Sequence, residues 1–347
     1  MENIKFVGVD DGHYALKICF EHDGILKTLS MPSRAAYGKI LLADTATGAG
    51  NTDCMYVCND VPFTVLENVM SLRNEVIDLR TINYPVSDVN AVLIYHALVR
   101  AGFNSDDSLN IVTGLPFKEF YLNGSRNSDL ITKKSNNLVR HIQNLDPNVS
   151  LPHIHRHSVM AEGAGAYIDM ILNIDGSENA DMVEAIAESP MAIVDIGGKT
   201  TDIVTMDTGG GKMRMGESST GFIGALDLND AVSNELKRKL NLNTTITENI
   251  EKAIITGVYH ARGVKNDVSD IILTEKMLFA RKIQDEVRKT LKDASNIGMV
   301  AFVGGGSNLI KKELYEIYGS QSNFVEEPQF ANARGFYKAS KYMISST

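Results

Sequence analysis

The order of apolar and polar positions assigns most of the chain to alternating strands and helices. Residues 4–9 form an apolar-rich run read as a buried strand, Asp10-Asp11-Gly12-His13 a turn, and residues 15–20 a returning strand. Asp-Gly between two β-rich runs is a strong hairpin signal. Residues 35–60, with Gly38, Gly48 and Gly50 among Thr, Asp and Asn, predict a loop-rich stretch. Ser87 reads as the N-cap of an amphipathic helix carrying Val89, Val92, Leu93 and His96 on one face, with Gly102 just past its end. A short strand over 109–113 runs into Gly114-Leu115-Pro116, and a polar middle (123–148) leads to an alternating strand over 153–160. Residues 173–190 are acidic and lack aromatics, which suggests an insertion between elements. Residues 191–195 and 202–206 predict a second hairpin around Gly197-Gly198. Residues 225–240 read as a helix and 274–294 as a longer one, with Ala280, Ile283, Val287, Leu291 and Ala294 at helical spacing. A buried strand over 299–303, the run Gly304-Gly305-Gly306 and a further helix follow.

At 347 residues the chain exceeds what one hydrophobic core usually holds, so two domains are expected. Lys and Arg number 34 against 43 Asp and Glu, a formal charge of −9, which lacks the basic footprint of a direct DNA binder. No apolar run reaches the length of a membrane span, and residues 1–20 are too charged for a signal peptide. Three cysteines do not make a disulfide framework. The expectation is a soluble, cytoplasmic, acidic two-domain protein.

One long-range echo carries the chemistry. Val9-Asp10-x-Gly12-x4-Lys17 and Val194-Asp195-x-Gly197-x4-Asp202 share one skeleton, half a chain apart. The economical reading is two related domains, each offering an Asp-Gly hairpin to one cleft. A tight hairpin bending at glycine lets backbone N–H groups meet an anion such as phosphate. A carboxylate ending each strand would repel phosphate unless a cation intervened, so Asp10 and Asp195 read as outer partners of hydrated Mg²⁺. Lys17 can reach back to a β- or γ-phosphate, and Thr200 can donate a hydroxyl. The competing reading is two coincidental turns.

Glu162 precedes a small-residue run, Gly163-Ala-Gly-Ala166, and a second such run is Ala331-Asn-Ala-Arg-Gly335. Two such helices crossing at close range would make a hinge between domains. Glu162 at the start of one of them could orient a water that attacks a γ-phosphate; otherwise it is a solvated glutamate favoured by the helix dipole. Gly304-Gly305-Gly306-Ser307-Asn308 lets a ligand approach backbone at a helix N-terminus but lacks dinucleotide or P-loop spacing. His153, His155 and His157 are expected on one strand face, a polar sheet face rather than a metal site. Cys54 and Cys58 are expected in a loop as reduced thiols, and Lys237-Arg238-Lys239 on a solvated helix face.

Together, Asp10-Asp11-Gly12-x4-Lys17, Glu162, Asp195-Ile-Gly-Gly-Lys-Thr-Thr-Asp202 and Gly304-Gly-Gly306 resemble the five-motif pattern of the actin-fold ATPases. Residues 89–98, Gly114-Leu-Pro-Phe-Lys-Glu-Phe-Tyr121 and Gly216-Glu-Ser-Ser-Thr-Gly221 are similar to the ParM (StbA) family of plasmid-partitioning actins, in order over nearly the whole chain. The resemblance implies an α/β, actin-like fold, ribonuclease H-like and duplicated, with a nucleotide cleft between its domains. Domain I would hold 1–170 and 330–347, with a loop-rich subdomain around 30–85, and domain II 171–329. It implies an ATPase, with GTP as an alternative nucleotide and Mg²⁺ as cofactor. Such a chain polymerises when nucleotide-bound, loosens on hydrolysis, and moves low-copy plasmids through a ParR-type adaptor on a centromere-like site, touching DNA only indirectly and no membrane.

By motif position, Asp10 and Asp195 would lie at the metal, Glu162 at the water, and Gly304, Gly305, Gly306 and Asn308 by the adenosine. The phosphates would meet Asp11, Gly12, His13, Lys17, Gly197, Gly198, Lys199 and Thr200, and the ribose or base Asn234 and Glu235. His13 departs from the Ser or Thr of many relatives: its imidazole either donates to the γ-phosphate or turns away and leaves that task to backbone N–H. A sugar or carboxylate kinase of the same fold is the alternative function, and a nucleotide-binding scaffold without hydrolysis a third.

Overall fold

The structure, a computed structural model, describes residues 4–40, 42–43, 50–51, 54–67, 76–81 and 83–344. The chain divides into two compact units, Met1–Glu178 with Asn332–Thr347, and Asn179–Ala331. Among the described residues no helix is long and apolar enough to cross a membrane.

In the first unit, strands β1 (Ile4–Asp11), β2 (Ala15–His22) and β3 (Ile25–Pro32) form an antiparallel meander. The predicted hairpin is present, with Asp10 opposite Lys17 in its register. Strands β4 (Ala35–Tyr37), β5 (Met55–Cys58) and β6 (Val61–Val65) follow. Helix α1 (Asp88–Arg100) is capped as expected, Ser87 Oγ accepting from Asn90 N. It leads to β7 (Ser108–Leu115), helix α2 (Ser128–Ser135), β8 (Ile142–Asn144), β9 (His153–Ala161) and α3 (Ala164–Ile171). The main sheet runs β9-β7-β1-β2-β3, with β7 parallel to β1 and β9 parallel to β7.

Three expectations change here. Helix α1 is buried from Val89 to Leu98, not amphipathic, because it packs against β2 and against β5 and β6 as well. The stretch read as loop-rich contains strands β4 and β5, which join β6 and β8 in a four-stranded antiparallel sheet ordered β8-β5-β6-β4, with Met55, Tyr56, Cys58 and Phe63 buried. Its residues 41, 44–49, 52 and 53, Gly48 among them, lie outside the described residues. Cys58 is therefore in a strand and Cys54 is buried just before it, both as free thiols, and burial pushes the Cys58 thiol up to about 12. Finally, the polar middle holds α2.

The second unit opens with a short helix, α4 (Ala180–Ala185), capped by Asn179, where only an insertion was expected. Strands β10 (Met191–Ile196), β11 (Thr201–Met206) and β12 (Ser219–Gly221) form a second meander. Helix α5 (Ala225–Leu240) has the predicted bounds. After α6 (Thr247–Thr256) comes α7, which spans Ser269–Leu291 instead of 274–294; Ala294 lies beyond it with φ +55°. Strand β13 (Met299–Val303), α8 (Gly305–Leu309), α9 (Lys311–Tyr318) and β14 (Ser322–Phe324) complete a sheet ordered β12-β11-β10-β13-β14. Here β13 runs parallel to β10 and β14 parallel to β13. This is the strand order and direction of the first unit repeated. The shared Asp-x-Gly skeleton thus marks a duplicated topology.

The C-terminal helix, Ala331–Lys338, belongs to the first unit from Asn332 onward and makes main-chain contact with it at glycines. A Cβ at Gly8 of β1 would stand 2.0 Å from Ala333 O, and one at Gly335 only 1.7 Å from Gly165 O in α3. The two small-residue runs do cross, inside the first unit. Asp169 locks the crossing, pairing with Arg334 at 2.7 Å and Lys338 at 2.7 Å while almost fully buried. Gly335→Ala is expected to destabilise the protein by about 3 kcal/mol, since neither backbone can yield cheaply. A urea midpoint equal to the parent's would show that the helices separate freely.

Candidate functional site

Each hairpin is built by its own unit. In the first, Asp10 is buried at the end of β1 and accepts from Lys17 Nζ at 3.0 Å. Burial raises the Asp10 carboxyl from its ordinary range, and Lys17 only partly reverses this. A Cβ at Gly12 would lie 3.1 Å from Ala15 O, 3.4 Å from Lys17 Nζ and 3.6 Å from Asp10 Oδ1, so glycine keeps this concavity open. Ser33 Oγ donates to Gly12 O at 2.6 Å and fixes the turn from outside.

Strand alternation sends the next carboxylate the other way. Asp11 turns into the core, where it pairs with Lys134 of α2, a lysine with no solvent exposure, and accepts from Asn90 Nδ2 of α1 at 2.5 Å. Asn90 Oδ1 in turn accepts from Asn137 Nδ2 at 2.8 Å. The His13 ring packs against the buried Tyr84 at a tilt of 53°, with ring centroids 5.0 Å apart. Sequence motifs give no hint of Lys134, Asn137 or Tyr84. Asn90, a polar residue inside an apolar helical run, was the one available signal.

Glu162 occupies the turn between β9 and α3, two residues before the helix begins. Its N–H donates to Leu115 O at 2.8 Å. Its side chain lies over Gly114, where a Cβ would meet Glu162 Cγ at 2.9 Å and Oε1 at 3.1 Å.

In the second hairpin Asp195 is buried opposite Asp202, so the position matching Lys17 carries the opposite charge. Asp202 is held by Thr220 Oγ1 at 2.5 Å and by Thr200 Oγ1 at 3.5 Å. Gly197 N donates to Thr200 O at 2.9 Å, closing the turn, with Lys199 half-buried inside it. The carbonyls of Gly197 and Gly198 accept from Ala225 N and Leu226 N, each at 2.9 Å, which sets the start of α5 against the hairpin. Gly304, at φ +81°, lies under Asp195: a Cβ there would come 2.3 Å from Asp195 Oδ1. Gly306 packs as closely on Ile196, and Gly305 begins α8. Asp195, the Gly197–Thr200 turn and Gly304 to Gly306 are thus brought together.

Asn308 is exposed and bonded to Gln329 at 3.0 Å. Asn234 is exposed on α5 and Glu235 pairs with Arg238; about 14 Å of helix separates Asn234 from the hairpin end of α5.

The three histidines do not share a face. A bulge between Ile154 and Arg156 makes His155 the extra residue; His153 then pairs with Ser108 and His157 with Ile111, an odd separation that puts them on opposite faces. His157 points inward, 2.9 Å from Thr113 Oγ1 and 2.9 Å from Ser135 O, and burial pushes its pKa down to about 3. Among the described residues no three His, Cys, Asp or Glu side chains are grouped to hold a metal. Each hairpin by itself offers one buried aspartate, Asp10 in the first unit and Asp195 in the second, a hard oxygen donor of the kind that Mg²⁺ accepts directly or through water.

Residues 5–171 match the family model "Plasmid segregation protein ParM, N-terminal", and residues 193–316 match "Archaeal actin homologue MreB-like, C-terminal". No curated protein sequence matches the chain. Among solved structures it is similar to the archaeal actin homologue Ta0583, at TM-score 0.77 and 19% identity over 97% of this chain and 99% of that one. The same protein in complex with ADP gives 0.74 and 20% over 97% and 99%. A ParM from a 15-stranded Clostridium botulinum filament gives 0.77 and 20% over 98% and 99%. The fold is therefore actin-like along nearly the whole chain.

Lys134→Met is expected to cost about 3–5 kcal/mol in urea unfolding, because Asp11 would stay buried without its cation. Adding Asp11→Asn should recover most of the loss; no recovery would mean that the two do not act as a pair. His157 protonates near 6.5 when unfolded but only near 3 when folded. The folded state therefore binds fewer protons in this window, and stability falls as pH drops below about 6.5. His157→Gln should flatten the decline in stability between neutral pH and about pH 5, and an unchanged slope would remove His157 as its source.

Proposed function

We propose that this chain, an actin-like protein whose N-terminal half is of the ParM type, is an ATPase that assembles into filaments when nucleotide-bound and segregates low-copy plasmid DNA. DNA would be held by a ParR-type adaptor, in keeping with the acidic charge of this chain, and the work would be done in the cytoplasm. The observation that carries the reading is the duplicated meander, each copy ending its first strand in a buried Asp followed by a glycine turn. The likeness to a filament-forming ParM and to an actin homologue in complex with ADP supports it. Among the described residues no feature favours a kinase.

In this reading the glycine turns at Gly12 and at Gly197-Gly198 receive the phosphates of ATP or GTP on backbone N–H groups. Lys17 shares its proton-bearing amine between Asp10 and a phosphate, and Lys199 and Thr200 act from the second turn. Asp10 and Asp195 would hold Mg²⁺ through its waters, and that ion neutralises charge on the phosphates when bound. Glu162 orients the attacking water, its carboxylate carried over Gly114. Asp11 and His13 support the turn from within the unit, and Gly304, Gly305, Gly306, Asn308, Asn234 and Glu235 serve the nucleoside.

Light scattering at a right angle should rise when Mg-ATP is added to the purified protein and decay as phosphate is released; a flat trace would overturn the filament reading. Glu162→Ala should still assemble but release phosphate at least about a hundredfold more slowly, since orienting the water supplies several kcal/mol. Parent-level release would remove Glu162 from that role. Asp195→Ala should weaken Mg-nucleotide binding in calorimetry, and unchanged affinity would count against the metal assignment.

A further inference from the structure

Helix α3 starts without a cap of its own. Its N-cap residue is Gly163, at φ +77°, which has no side chain to offer the first turn. Orphan N–H groups at a helix start need an acceptor. Here it comes from far along the chain: Asn332 Oδ1 accepts from Gly163 N at 3.0 Å and from Ala166 N at 3.1 Å, across 169 and 166 residues of sequence. Asn332 is 4% exposed, so water does not compete for these bonds. One turn beyond Asn332 in the C-terminal helix, Phe336 packs on the open side of Gly165 and Gly114.

Glu162 is the residue immediately before the capped turn. Its own N–H is tied to Leu115 O, and the next N–H, that of Gly163, is tied to Asn332. The peptide that carries the Glu162 side chain is thus pinned on one side by β7 and on the other by the C-terminal helix. We propose that Asn332 is a positioning residue for Glu162: by capping α3 it sets the direction of the Glu162 carboxylate and hence the geometry of the attacking water. This rests on the reading that Glu162 orients that water. A displacement near 1 Å at such a group can cost up to about a hundredfold in rate.

The test measures phosphate release by assembled protein in Mg-ATP, and Mg-ADP affinity by calorimetry, in the full-length chain. Asn332→Ala should slow release about tenfold or more while Mg-ADP affinity stays within about twofold. Asn332→Asp, of equal size and a stronger acceptor for the same two N–H groups, should restore release to within about threefold of the parent. Asn332→Gln, which moves the acceptor by one methylene, should not. In a Glu162→Ala background, Asn332→Ala should add less than about a twofold further loss, because both act on one step.

A parent-level rate in Asn332→Ala, or a further tenfold loss in the double variant, overturns the inference while leaving the role of Glu162 standing. Should Asn332→Ala fail to fold, the Gln and Asp variants decide: equal rates for the two overturn it. A parent that releases no phosphate, or a Glu162→Ala variant as fast as the parent, instead removes the reading on which the inference depends.

Discussion

Main chain touching main chain through glycine is the constraint on which the first unit depends. Gly8 in β1, Gly165 in α3 and Gly335 in the C-terminal helix each leave less room than a methyl group needs. A side chain at any of them would push the last helix off the sheet and off α3. The ion network of Asp169, Arg334 and Lys338 then has a fixed place to form, and so does the cap from Asn332. Tight glycine contacts cost conformational entropy in the unfolded chain. What they gain is a frame that bonds the peptide N–H groups on both sides of the Glu162 side chain, to Leu115 O and to Asn332 Oδ1.

The duplication makes the difference between the hairpins informative. Both first strands end in a buried aspartate, and both returning strands place one residue directly opposite it. In the first unit that residue is Lys17, and the pair carries no net charge. In the second it is Asp202, and two carboxylates face each other, an arrangement that is unfavourable across an antiparallel pair. Hydroxyls from Thr220 and Thr200 spread the charge of Asp202 without cancelling it. The first hairpin thus presents a paired cation and anion, and the second two carboxylates. A single difference at equivalent positions reverses the charge that faces the aspartate.

Local signals in the sequence were enough for the hairpins, the Ser87 cap and helix α5, because alternation, Asp-Gly turns and capping residues act within a few positions. The echo of two Asp-x-Gly skeletons also carried the duplicated topology. Local pattern could not show that α1 is covered on more than one side, since that depends on a second sheet contributed by residues on both flanks of it. The bulge at His155 inverts the face of His157 with no local sign in the residues. Lys134 and Asn332 were hidden for the same reason: their partners lie 123 and 169 positions away. Hydrophobic periodicity reports which face of an element is buried and says nothing about which polar group it meets there.

The network behind the first hairpin raises the question of why a lysine is buried at all. A buried ion pair is weak evidence for stability, since desolvating both charges offsets most of their attraction. An apolar pair of similar volume at positions 11 and 134 would hold α2 against the sheet about as well. What it would not do is fix direction. Asp11 is bound by a cation from α2 and an amide from α1, and that amide is fixed by Asn137, so three segments determine one carboxylate. Because neighbouring residues of a strand face opposite ways, fixing Asp11 also fixes Asp10 on the other face. The buried charge therefore acts on geometry: it fixes the strand end from which Asp10 projects, while Lys17 holds the Asp10 carboxylate itself.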